Sequence, residues 1–201
     1  MILLDKPYVS QFLKDTITKY NYPAIDTGDI IENGEIALIS TEEIIKQFKN
    51  KPNSRLYTNS ENSINWVTTN LAFTRLPEYI NLFKNKVEFR KLIKSIYPNF
   101  FFKEVALQDL NQLDLDELPM PFIIKPAVGF LSLGVHKVIN ENEWQKVKQD
   151  IEDEFTNAKR LFPIEVVNAS SFIIEEVIAG DEFAFDAYFD DKGDAVVLGI
   201  S

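Results

Sequence analysis

The sequence predicts an α/β (α+β) protein in two unequal parts, a small parallel α/β layer followed by antiparallel sheets. Three observations predict it. Over residues 1–75, short apolar runs alternate with helical patterns, the arrangement of a parallel sheet with crossover helices. From residue 121 onward, extended runs return on themselves through glycine-containing turns, as antiparallel hairpins do. Between them, residues 79–97 form a basic helical stretch that Pro98 ends.

The elements follow in order. Ile2–Leu4 reads as a short buried strand. Ser10 caps a helix running to about Tyr20, with Phe12, Leu13 and Ile17 inward. Residues 23–27 give a second strand. Residues 30–39 hold two β-branched runs about Asn33-Gly34, the pair favoured in a type I′ hairpin turn. Ser40 and Glu43 form a capping box before the helix "TEEIIKQF". Residues 55–58 form a strand, and Asn59 or Ser60 caps a helix through Trp66 and Leu71. The 79–97 helix places Phe89, Leu92, Ile93 and Ile96 on one face. Residues 100–105 are a strand, and 107–121 an acidic linker or helix. Residues 121–138, "PFIIKPAVGFLSLGVHKV", read strand, glycine-punctuated loop, strand. Asn140 and Glu143 make a second capping box, and the helix behind it buries Trp144, Val147, Ile151 and Phe155. The strand "SFIIEEVIAG" leads out to Gly180. Residues 182–189 and 195–200 then pair about the turn "DDKGD".

Composition narrows the function classes. Hydrophobic residues make up 45% and charged residues 26% of the 201, the balance of a soluble globular protein. A formal net charge of −10 argues against nucleic acid as a partner, because phosphate backbones need a basic face. There is no Cys, hence no disulfide, thiol nucleophile or thiolate metal site. The apolar run after Met1 is too short for a signal-peptide core, and no segment is long enough to span a bilayer, so a cytoplasmic protein with no membrane partner is expected. The only histidine, His136, lies on a strand with no nucleophile elbow to serve, and a half-buried strand histidine is its plain reading.

Two stretches can carry chemistry. In "KPAVGFLSLGV", Lys125 ends an apolar strand and Pro126 fixes the exit. Gly129 and Gly134 permit positive φ and close backbone approach. Free amides and the Ser132 hydroxyl can fold onto phosphate oxygens while Lys125 supplies a point charge. The same residues could also make an ordinary hairpin. In "IIEEVIAGDEF", Glu175 and Glu176 are adjacent acids in an apolar run, costly to bury unpaired. They suit an open strand end that seats a polar ligand, with backbone groups of Glu176, Val177 and Ile178 facing a purine edge and Glu182 accepting from ribose hydroxyls. They equally suit an amphipathic strand with solvated acids.

The two motifs, in this order, resemble the ATP-grasp superfamily in its carboxylate–amine ligase-like (carbamoyl-phosphate synthase/biotin carboxylase-like) form. The resemblance extends upstream to "NKVEFRKL" and covers essentially the whole chain. It implies a small parallel pre-ATP-grasp domain over 1–80, a helical linker or first subdomain over 81–120, a lid with a glycine-rich flap over 121–181, and the start of a further subdomain over 182–201. It implies that ATP and Mg²⁺ are bound. Lys86 and Lys125 would meet the phosphates, Gly129, Ser132 and Gly134 would form the flap, Glu175 to Ile178 the adenine hinge, and Glu182 the ribose contact. The implied partners are a small-molecule carboxylate and an amine; dimers are common in the family, so a homodimer is an open expectation. Two departures stand out. The flap carries apolar Phe130, Leu131 and Leu133, which would either seal the phosphates or pack on a neighbour. The family's metal ligands are absent from the residues after Glu182, since Asp186, Asp190, Asp191 and Asp194 have the wrong spacing. The 201 residues are therefore expected to be the N-terminal part of a longer ATP-dependent ligase, with the metal site beyond Ser201. A non-catalytic nucleotide-binding or regulatory module of the same fold is the alternative, and an unrelated α/β protein the third reading.

Overall fold

The computed structural model describes residues 1–51, 54–129, 133–158, 168–190 and 192–201, with side chains given for all of these except 155–158 and 168–170. It is an α/β structure with a three-stranded parallel sheet, a four-stranded antiparallel sheet and a two-stranded hairpin.

The first sheet consists of β1 (Ile2–Leu4), β2 (Ala24–Asp26) and β3 (Tyr57–Thr58), in the order β2-β1-β3. The "ILL" run is buried because it is central and covered on both faces, as parallel strands are. Ile2 and Leu4 pack with Val9, Ile17 and Ala24 under α1 (Gln11–Tyr20), whereas Leu3 packs on the other side with Ile44 and Phe48 of α2 (Thr41–Asn50). The capping box of α2 is present: Glu43 N donates to Ser40 Oγ at 3.2 Å, and Ser40 N donates to Glu43 Oε2 at 2.8 Å.

Several expected details differ. Phe12 is 81% exposed, so α1 buries a narrower stripe around Ile17. Residues 30–39 form no hairpin. The Asp26 carboxylate accepts from the N–H groups of Gly28, Ile30 and Ile31, which curls the chain into a loop and lays Ile30, Ile31 and Ile36 on the Val9–Ile17 cluster. Neither Asn59 nor Ser60 is the cap of α3 (Ser63–Asn70), which starts after Asn62. Asn59 instead braces the end of β1, accepting from Asp5 N and donating to Asp5 O.

The single 79–97 helix is two helices, α4 (Leu76–Lys84) and α5 (Lys86–Ile93). Asn85, with φ −83° and ψ 108°, breaks the run, and its side chain accepts from Val87 N and Glu88 N. Val87 is the buried residue of α5, while Leu92 and Ile96 of the expected stripe are exposed. Pro98 follows the final turns as expected.

The second sheet has the order β4-β7-β5-β6, formed by β4 (Phe102–Ala106), β7 (Asn168–Glu176), β5 (Phe122–Val128) and β6 (His136–Val138), with every neighbour antiparallel. Residues 107–117 are short 3₁₀ turns. One sheet face, with Phe122, Ile124, Phe172 and Ile174, packs on Trp144, Val147 and Ile151 of α6 (Glu141–Ala158). The expected burial of Phe155 lies outside the described side chains. The start of α6 does not form the expected box: Asn140 Oδ1 accepts from Asn142 N rather than Glu143 N, and Glu143 Oε2 accepts from Ile139 N rather than Asn140 N. The other face carries Ala127 and Ile173 and receives Val87 of α5. The final strands, β8 (Phe185–Phe189) and β9 (Ala195–Ile200), pair as read from the sequence. Phe185, Phe189, Val197, Leu198 and Ile200 of this hairpin are exposed.

Phe122 is fully buried with its ring edge-on to Trp144, centroids 6.0 Å apart. Phe122→Ala should therefore cost about 3–5 kcal/mol of unfolding free energy. Phe12→Ala should change it by no more than about 0.5 kcal/mol. Urea titrations of the two variants check the pair; similar losses would contradict the placement of Phe12.

Candidate functional site

The antiparallel register builds the site. Lys125 of β5 faces Ile173 of β7, and Glu175 faces Ile123, so Lys125 and Glu175 are diagonal neighbours on one face. Lys125 Nζ lies 2.5 Å from Glu175 Oε2. From above, α5 presents Arg90, whose Nε donates to Glu175 Oε1. Its guanidinium stacks on Phe100, 4.2 Å from the ring centroid. Lys86 is four residues before Arg90, hence on the same helix face. Its Nζ donates to Gly129 O at 3.4 Å.

Glu175 is only 4% exposed. Burial alone would raise its pKa, but hydrogen bonds from Arg90 and Lys125, with their charge, hold it below its ordinary value of 4.5. The Lys86 pKa is also lowered, which for a lysine favours the uncharged form. Burial, then repulsion from Lys125 and Lys84, lowers its pKa from 10.5. Three cations against one carboxylate leave two positive charges in a chain whose net charge is −10. Such a cluster suits a polyanion.

The loop between β5 and β6 meets this cluster. Gly134 has φ +69°, the left-handed conformation that favours glycine. Gly129 is not in that region; it is needed for space, because a Cβ there would lie 2.9 Å from Pro126 Cγ. Leu133 rests on the core around Phe122. Ser132, Phe130 and Leu131 lie outside the described residues, so the expected phosphate contact of Ser132 and the two roles weighed for the apolar tip lie there as well.

The remaining expected residues are spread out. Glu176 is not part of an open seat: its Oε2 accepts from Phe101 N at 3.2 Å, tying β7 to the start of β4. Beyond it, Val177 to Gly180 leave the ladder, and Ile178 is 69% exposed. Glu182 is also exposed. Thus the structure brings Lys86, Lys125, Gly129 and Glu175 together, and leaves Glu182 on the surface. Arg90 was not singled out from the sequence. Its signal was its position four residues after Lys86, one helical turn along the same face. Among the described residues no group of three His, Cys, Asp or Glu side chains could hold a metal ion. No helix among them is long and apolar enough to cross a membrane.

A family model for the ATP-grasp domain matches residues 118–201. Solved structures of other proteins share the fold across nearly the whole chain. The biotin carboxylase of Campylobacter jejuni, solved as a β,γ-ATP complex, is 16% identical with a TM-score of 0.62, over 99% of this chain and 50% of its own. The L-amino acid ligase of Bacillus licheniformis is 18% identical with a TM-score of 0.61, over 99% and 51%. The biotin carboxylase domain of the Hydrogenobacter thermophilus 2-oxoglutarate carboxylase, solved as a dimer with magnesium ADP, ADP and bicarbonate, is 14% identical with a TM-score of 0.58, over 99% and 49%. The chain thus spans about half the length of these proteins. No curated protein sequence matches it.

Glu175 gives a pH signature. Its folded pKa lies below 4.5, so its stabilisation is fully present above pH 4.5 and is lost as pH falls through the lower folded value. Glu175→Gln leaves Lys125 and Arg90 without their carboxylate and should cost about 3 kcal/mol at pH 7. Urea titrations at stepped pH should show that gap shrinking on acidification below pH 4.5; a pH-independent gap would contradict the assignment.

Proposed function

We propose that the chain is the ATP-binding part of an ATP-grasp ligase that activates a small carboxylate as an acylphosphate for attack by an amine. One observation carries this reading: Lys86, Arg90 and Lys125 converge about one buried carboxylate at the base of a glycine loop, in an otherwise acidic protein. That cluster sits within and beside the segment that matches the ATP-grasp family model.

In this reading Lys86 and Lys125 bind the phosphates, and Arg90 acts through Glu175, holding the carboxylate that aims Lys125. The loop from Gly129 to Gly134 lies over the phosphate chain, and the backbone at Val177 and Ile178 takes the purine edge. Glu182 reaches the ribose only after moving in from the surface. The chemistry asks for placement and charge rather than a covalent side chain. A carboxylate oxygen of the substrate attacks the γ-phosphorus, the bond from that phosphorus to the β–γ bridging oxygen breaks, and ADP leaves. The amine nitrogen then attacks the carbonyl carbon, the carbon–oxygen bond to phosphate breaks, and the nitrogen loses a proton. Lys86 and Lys125 offset charge on the phosphates of ATP and departing ADP. The described residues do not fit a Mg²⁺ site, so no step is assigned to the metal. We place its ligands, with the substrate-selecting residues, in a further subdomain. The exposed apolar β8–β9 hairpin would be its first part. The first sheet would be the pre-ATP-grasp domain, and a soluble cytoplasmic setting fits an ATP-consuming ligase.

Isothermal titration with Mg·ATP tests the reading. Lys125→Ala should weaken binding by about 1.5–3 kcal/mol, the range for a hydrogen bond to a charged group. Identical heats for wild type and variant would sink it. Residues 1–201 should bind ATP without releasing ADP; ADP formation by this chain would show that a separate metal-bearing part is not needed.

A further inference from the structure

Both ends of the glycine loop are held by helix side chains, and only one has been placed in the nucleotide site. Lys86 of α5 holds the near end through Gly129 O. At the far end Gly134 N donates to Glu154 Oε2 of α6 at 2.7 Å. The other Glu154 oxygen lies 3.4 Å from His136 Nε2. That nitrogen is buried and makes no hydrogen bond among the described residues, so the imidazole backs the carboxylate and leaves Oε2 turned toward Gly134. The bond falls where the backbone is in the left-handed region, φ +69°, just before β6 begins. A charge-assisted acceptor is about twice as strong as a neutral one.

We propose that Glu154 is a positioning residue for nucleotide binding. It fixes the Gly134 amide just before β6, the strand that pairs with β5 and so lies beside the strand carrying Lys125. Its carboxylate does not touch the nucleotide; its effect passes through the Gly134 backbone. This rests on the nucleotide reading of the Lys86–Lys125 cluster.

The test has two readouts on the whole chain. Amide hydrogen exchange at Gly134, followed by NMR without nucleotide, reads the anchor itself. Titration with Mg·ATP reads its consequence. Glu154→Ala should speed exchange at Gly134 at least tenfold and weaken Mg·ATP binding about five- to tenfold. Glu154→Gln keeps a carbonyl acceptor at the same reach and should restore both to within about twofold of wild type. Unchanged exchange in Glu154→Ala overturns the anchor. Faster exchange with unchanged affinity overturns the positioning role. Failure of Glu154→Gln to restore either readout also counts against it, since the hydrogen bond would then not be the operative link. A wild-type chain that takes up no Mg·ATP overturns the nucleotide reading and the positioning role together, while exchange at Gly134 still decides whether the anchor exists.

Discussion

The buried carboxylate of Glu175 is the constraint on which the site depends. Lys125 and Arg90 come from different elements and would repel one another at close range in a poorly solvated place. Glu175 gives each an oxygen, and so fixes the middle of β5, which runs on past Lys125 to Val128 rather than ending at it, the end of β7 and one face of α5 in a single contact. The desolvation cost is real, since burial alone would raise the Glu175 pKa, and two cations overcome it. Lys86 stands beside this triad with a backbone carbonyl and no carboxylate, its pKa lowered by burial and by Lys125. An anion arriving there would relieve the repulsion that the fold has imposed.

The triad can form because the antiparallel sheet is two-faced. Alternation along "PFIIKPAV" sends Phe122 and Ile124 into the α6 core and Ile123 and Lys125 toward α5. The same alternation along "FIIEE" sends Phe172 and Ile174 to the core and Ile173 and Glu175 to the site. A slip of one residue would bury Lys125 in the apolar core and turn Phe122 toward α5, so core packing enforces the site's register. The break at Asn85 then points Lys86 and Arg90 at that face, with Val87 between them as the packing contact.

Period-2 alternation and local caps were legible in the sequence. The Ser40 box, the antiparallel second sheet, the β8–β9 hairpin and the clustering of Lys125 with Gly129 all rest on short-range signals. What was not legible depended on contacts distant in sequence. Asn33-Gly34 suggested a hairpin, but the Asp26 carboxylate captured three amides and held the segment as a loop. Glu175 and Glu176 read as a pair facing a ligand, yet neighbours on a strand point to opposite faces, and each found a protein partner: Arg90 with Lys125, and Phe101 N. Arg90 was hidden because its worth depends on a carboxylate 85 positions away. The 79–97 stripe failed because α5 meets the sheet through Val87 and ends at Ile93, which leaves Leu92 and Ile96 exposed.

A crystal structure of the chain grown with a non-hydrolysable ATP analogue tests the central claim most directly. Phosphate oxygens should lie within hydrogen-bond reach of Lys86 and Lys125 Nζ, with the Lys125–Glu175 contact kept and Gly129 and Gly134 alongside the phosphates. Phosphates bound elsewhere, with both lysines in their present contacts, would contradict it.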